Sequence, residues 1–248
     1  MRLKSLLLVL IVIASVNLFG QTFVTDRPDY TESALVIVPG MVQLEMGVGY
    51  SEMGDLSVTA YPNLLARIGV VKNLEVRVGF PGWITPKVGD NSETYLNDLL
   101  FEAKYQISKK RASVPMAILL IMTLPSGDDE VSSGSPNIGA KFAASFDLNN
   151  QFSVGANVGA VSVEANDERE ILVLGSVNLG MSISNKLGAF VEVFAEAPGN
   201  KAWAPMIDGG FTFLITPTNQ LDFYAGTGLN DYGPDFIIGG GFSTRFGW

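Results

Sequence analysis

Twelve ionisable residues carry most of the chemistry this sequence can offer: Glu45, Arg67, Glu75, Arg77, Asp98, Glu102, Lys104, Lys141, Glu192, Asp208, Asp222 and Arg245. Each is read inside a stretch where apolar residues recur at every second position, and each falls on the other register. Glu75 and Arg77 share one face of one strand, as do Glu102 and Lys104. Charges of both signs, interleaved on one face, can do either of two things. They can fill a narrow interior with ion pairs and hydrogen bonds. They can also line a watery path and decide which solutes use it.

Other chemistry is poorly supported. The chain has no His and no Cys, which removes Ser-His and Cys-His nucleophile pairs and His-based metal sites. Carboxylate pairs remain, but no pair stands apart as a catalytic dyad. Gly239-Gly240-Gly241 is not a phosphate loop, because neither a helix start nor a Lys follows it. Asp128-Asp129-Glu130 sits among Ser and Gly and reads as a solvated outer loop. No enzyme, cofactor or metal is expected.

The charges need strands to position them. Twelve strand-like segments recur, expected at 41–51, 56–70, 73–83, 96–107, 114–124, 137–146, 151–161, 171–183, 187–196, 205–215, 220–229 and 236–248. The fifth is apolar on both faces, and its register is ambiguous. Short connections repeat one chemistry, such as Val71-Lys72-Asn73-Leu74 and Ser184-Asn185-Lys186-Leu187, with Asn supplying the left-handed turn position. They alternate with longer polar connections at 81–95, 125–136, 163–170, 197–204 and 230–235. Short turns at one end and longer loops at the other are the rhythm of an outer-membrane barrel. The expected fold is all-β: an antiparallel up-and-down transmembrane barrel of about twelve strands, with the charges facing its lumen. A secreted sandwich or lipocalin-like barrel would also alternate, so the two chain ends decide.

At the C-terminus, Phe236, Ile238, Phe242, Phe246 and Trp248 share one register, and after Ile237 the other holds only Gly, Ser and Arg. A strand that ends on an aromatic suits a lipid face with an interfacial aromatic belt. It resembles the C-terminal assembly signal of bacterial outer-membrane barrels, which implies the barrel assembly machinery and outer-membrane lipid as partners. At the N-terminus, Arg2 and Lys4 precede the apolar run Leu6–Phe19, and small residues follow. This reads as a signal peptide over residues 1–20, cleaved after Gly20, in a Gram-negative bacterium. Its removal leaves the rest two units more acidic than the whole-chain net charge of −9, which argues against nucleic acid as a partner.

Residues 21–39 precede the barrel proper, taken as 40–248. They cluster Asp26, Arg27, Asp29 and Glu32 ahead of an apolar stretch, Ala34–Val38. The segment is either a solvated periplasmic tail or a piece of chain tucked into the lumen against wall charges. Its sequence TDRPDYTES, the later VPG and QLE, the hairpin LLARIGVVKNLEVRVGF and the tetrapeptide LPSG resemble the outer-membrane family labelled for the MetA pathway of phenol degradation. The resemblance implies an outer-membrane barrel that moves small solutes, aromatic ones among them. Two readings follow: a passive transporter or porin, or a structural or interaction barrel whose lumen is closed and filled with charge.

Overall fold

The computed structural model describes residues 23–109, 112–165, 168–198 and 202–247. The expected signal peptide, its cleavage point and Trp248 lie outside the described residues. Fifteen strands form one sheet: β1 (Met41–Met53), β2 (Leu56–Val71), β3 (Leu74–Phe80), β4 (Trp83–Val88), β5 (Asn91–Ser92), β6 (Tyr95–Leu96), β7 (Leu99–Gln106), β8 (Met116–Leu124), β9 (Asn137–Asp147), β10 (Phe152–Ala165), β11 (Glu168–Ser182), β12 (Leu187–Pro198), β13 (Ala204–Thr216), β14 (Asn219–Gly228) and β15 (Phe236–Gly247). Twelve of them make the wall. β1 pairs antiparallel with β2 on one side and with β15 on the other, so the sheet closes on itself. Closure leaves the wall without an open edge, which a strand exposed to lipid cannot tolerate.

The period-two reading holds around the wall. Val48, Leu120, Ile138, Val158, Val177, Phe211 and Phe223 point outward and are exposed, while Gln43, Glu45, Arg67, Glu75, Arg77 and Lys104 are buried inside. An apolar exterior around a charged interior is the arrangement of a membrane barrel and the inverse of a soluble one.

Two expectations are corrected. The connection 81–95 is not a plain loop, since it carries β4 and β5 and the start of β6. The cause lies in β2, which is longer than its neighbour. Only the half Leu64–Val71 of β2 pairs with β3, and the half Leu56–Tyr61 would be left open. β4 covers that half, from Leu56 opposite Val88 to Tyr61 opposite Trp83. Gly82, at a φ of +80°, adopts the left-handed conformation that takes the chain from β3 into β4. The second correction is Asp98. It was expected on the inward face of a strand but lies just before β7, in the outer loops. There its carboxylate accepts N–H bonds from Ser126 and Gly127 at 3.0 Å and from Ser133 at 3.1 Å.

The two-sided apolar character of β8 has a structural cause. Ile118 and Leu120 face outward, whereas Ala117 and Leu119 face inward and are fully buried. Ala34 of the N-terminal segment packs on them together with Ala143 of β9. Ile37 and Val36 are buried as well. Burying one Ile contributes about 1.5–3 kcal/mol, so the apolar stretch ahead of β1 is an anchor inside the barrel.

Candidate functional site

The segment from Phe23 to Val38 runs through the lumen, and its charges meet those of the wall. The centre of the site is a pair of like charges. Arg67 on β2 and Arg77 on β3 are directly opposite each other in the register. Two guanidinium groups side by side repel, so anions must lie between them. Glu75 supplies one, with Oε1 at 2.7 Å from the Nε of both arginines. Asp26 of the segment supplies the other: Oδ2 is 3.0 Å from Arg67 Nη1 and also pairs with Arg77 Nη2.

The network spreads from this centre. Glu45 on β1 pairs with Arg67 at 3.0 Å and accepts the backbone N–H of Arg27 at 3.0 Å. Glu32 lies 2.5 Å from Arg77 and 2.9 Å from Lys141 of β9. Glu102 of β7 pairs with Arg77 at 3.0 Å, across the β3–β7 register. Lys104 reaches Asp26 at 3.5 Å. Glu102 and Lys104, neighbours on one strand face, therefore find their partners on other elements. The backbone joins in, with Ile37 N–H donating to Glu75 at 2.7 Å and Gly40 N–H to the Gly69 carbonyl at 3.1 Å. A buried charge stripped of its partner costs several kcal/mol, so these pairs hold segment and wall together.

The opposite wall is different. On β12, Glu192 accepts from the backbone N–H of Tyr30, and from the N–H and hydroxyl of Thr31 at 2.9 and 2.6 Å. Tyr30 stacks on Phe194, with centroids 4.4 Å apart, and its hydroxyl donates to Glu196. Asp29 accepts from the Asn178 amide at 2.7 Å. Asp208 on β13 stands opposite Glu192 in the register. Further round, Arg27 pairs with Asp222 of β14 at 3.1 Å. Near the short-turn end, Arg245 donates to Gln43 at 2.8 Å and lies over the Phe23 ring.

The wall is shaped to receive the segment. A Cβ on Gly47 or on Gly241 would overlap the Arg27 guanidinium, and one on Gly69 would overlap the Val38 carbonyl. These three glycines keep the wall back where the segment comes closest. Between the segment and the wall a cavity of about 350 Å³ remains, bounded by Arg27, Asp29, Arg77, Phe194, Asp208 and Tyr224 among others.

Eleven of the twelve ionisable residues singled out in the sequence thus lie on the inward face, and Asp98 does not. Glu45, Arg67, Glu75, Arg77, Glu102, Lys104 and Lys141 are gathered into one network with Asp26 and Glu32. Gln43, Asn157, Ser176, Asn178 and Glu196 were missed. All occupy the same off-apolar register as the charges, so counting uncharged polar residues on it would have found four of them. Among the described residues no cluster fit to hold a metal ion is present.

Several solved structures share this fold. The COG4313 outer membrane channel from Pseudomonas putida F1 superposes with a TM-score of 0.64 at 13% identity, over 90% of this chain and 100% of that one. The NanC porin gives 0.60 at 12% identity, over 82% and 100%. The KdgM porin gives 0.57 at 8% identity, over 82% and 99%. No curated protein matches the sequence. The family described as "Putative MetA-pathway of phenol degradation" matches residues 25–246, and with that span, over a closed twelve-stranded barrel, the chain belongs to this family.

Proposed function

We propose that the protein is a passive channel of the outer membrane for small solutes, restricted by its own N-terminal segment. The observation that carries this reading is Asp26 between Arg67, Arg77 and Lys104. A segment that only needed anchoring would not have to neutralise the most crowded charges of the wall. The fold shared with porins and channels supports the transport half of the reading, and family membership supports small solutes, aromatic ones included, as its cargo. The rival is a permanently closed barrel, favoured by the density of ion pairs around Arg77.

Planar-bilayer conductance separates the two. The mature protein is compared with a variant lacking residues 21–37, both shown to be folded. A clear rise in conductance on deletion is expected. Equal conductance would mean that the segment does not restrict the path.

A further inference from the structure

The cavity between the segment and the wall has an unusual charge balance on one side. Asp29, Glu192 and Asp208 lie together on the β12–β13 side, and none of them has an ion-pair partner among the described residues. Two are partly satisfied: Asp29 by the Asn178 amide, and Glu192 by backbone N–H groups and the Thr31 hydroxyl. Asp208 is not. It is only 5% exposed, it lines the cavity, and its Oδ1 has no hydrogen-bond partner. A buried carboxylate oxygen without a donor is costly. The two cations in the cavity wall are engaged with other carboxylates, Arg27 with Asp222 and Arg77 with Asp26, Glu32, Glu75 and Glu102.

The rest of the lining says what kind of donor fits. Phe194 and Tyr224 present aromatic surface to the same space, and aromatic faces attract cations. The volume, about 350 Å³, is at the small end of pockets for organic ligands. We infer that this cavity binds a small organic primary ammonium ion, its N–H groups donating to Asp208 and Asp29 and its apolar body lying against Phe194 and Tyr224. This requires the segment to be docked in the lumen, since Asp29 belongs to it. It does not require that the barrel conduct.

Calorimetric titration of the mature barrel in detergent, at 150 mM NaCl to screen diffuse attraction, tests the site. The probe is 2-phenylethylammonium, and the neutral comparison is 2-phenylethanol. Saturable binding of the amine alone is expected, weakened about tenfold or more in Asp208→Asn and in Asp29→Asn, with the surface control Asp55→Asn unchanged. A detergent gel of unboiled samples verifies folding, and if Asp208→Asn is not folded, Asp29→Asn decides. Absence of saturable heat, equal binding of the alcohol, or unchanged affinity in the folded Asn variants would each overturn the inference. Amine binding by a barrel whose conductance ignores deletion of residues 21–37 would sink the channel reading and leave this one standing. The reverse pattern would do the opposite.

Discussion

Replacing Asp26 with Asn removes one negative charge from among three buried cations. The carboxylate lies 3.0 Å from Arg67 and 3.5 Å from Lys104, and it also pairs with Arg77. At an effective dielectric constant of about 20, each of these two separations corresponds to roughly 5 kcal/mol of gross attraction. Desolvation offsets much of this, and removing one partner from a buried ion pair costs about 3–5 kcal/mol net. Most of that loss falls on the docked state, because Arg67 and Arg77 then face each other with Glu75 alone between them. The ratio of docked to undocked segment should fall by about two to three and a half powers of ten. The protein has no Cys, so a single reporter thiol is simple to place. Ala34→Cys puts it at a fully buried position against Ala117, Leu119 and Ala143. With rapid redocking, the maleimide labelling rate tracks the undocked population. Asp26→Asn in that background should speed labelling at least a hundredfold. A rate within threefold of the parent, in a folded barrel, would refute the argument that Asp26 holds the segment.

Three more outcomes are expected. Gly47→Val places side-chain atoms where the Arg27 guanidinium lies, closer to it than to any wall backbone, so it should raise conductance and speed labelling of the same thiol while the barrel stays folded. Deleting residues 246–248 removes the outward-facing Phe246, which pairs with Val42 where the wall closes, and should lower the amount of folded protein on an unboiled detergent gel. Asp98 should tie outer-loop order to pH: partial burial works to raise its pKa, but N–H donation from Gly127, Ser133 and Ser126 outweighs this and holds the carboxyl below its ordinary 3.8. Because the folded value is the lower one, the stabilisation is complete above the ordinary value and is lost as pH falls through the folded value. Protease cutting within 125–136 should therefore rise in Asp98→Asn at pH 7, and in the parent only in a brief pulse of acid below its ordinary 3.8.

The wall was legible in the sequence because a period of two fixes which face each residue takes. Glu45, Arg67 and Glu192 could be placed inward from their spacing alone. Asp98 was misplaced because its spacing continues the pattern of β7 past the point where the strand ends. β4 was missed because it exists to cover the free half of β2, and one segment's pattern does not reveal the length of its neighbour. The occupant of the lumen was least legible. Periodicity assigns a face but not what lies against it, so neither Asp26 between two arginines nor Arg27 against Gly47 and Gly241 could be read from spacing. The apolar inner face of β8 was a trace the segment left on the wall pattern.

The two sides of the lumen differ in sign, and this matters most when the segment is out. Without Asp26 and Glu32, the wall of β2, β3, β7 and β9 keeps Arg67, Arg77, Lys104 and Lys141 against Glu75 and Glu102, while β12, β13 and β14 keep Glu192, Glu196, Asp208 and Asp222 and carry no basic residue of their own among the described residues. An emptied barrel would then carry a transverse electric field, running from a cationic arc to an anionic one. Such a field turns a passing dipole across the axis and orders water in the gap. A zwitterion would cross at a fixed tilt, and a neutral molecule of the same size would tumble through.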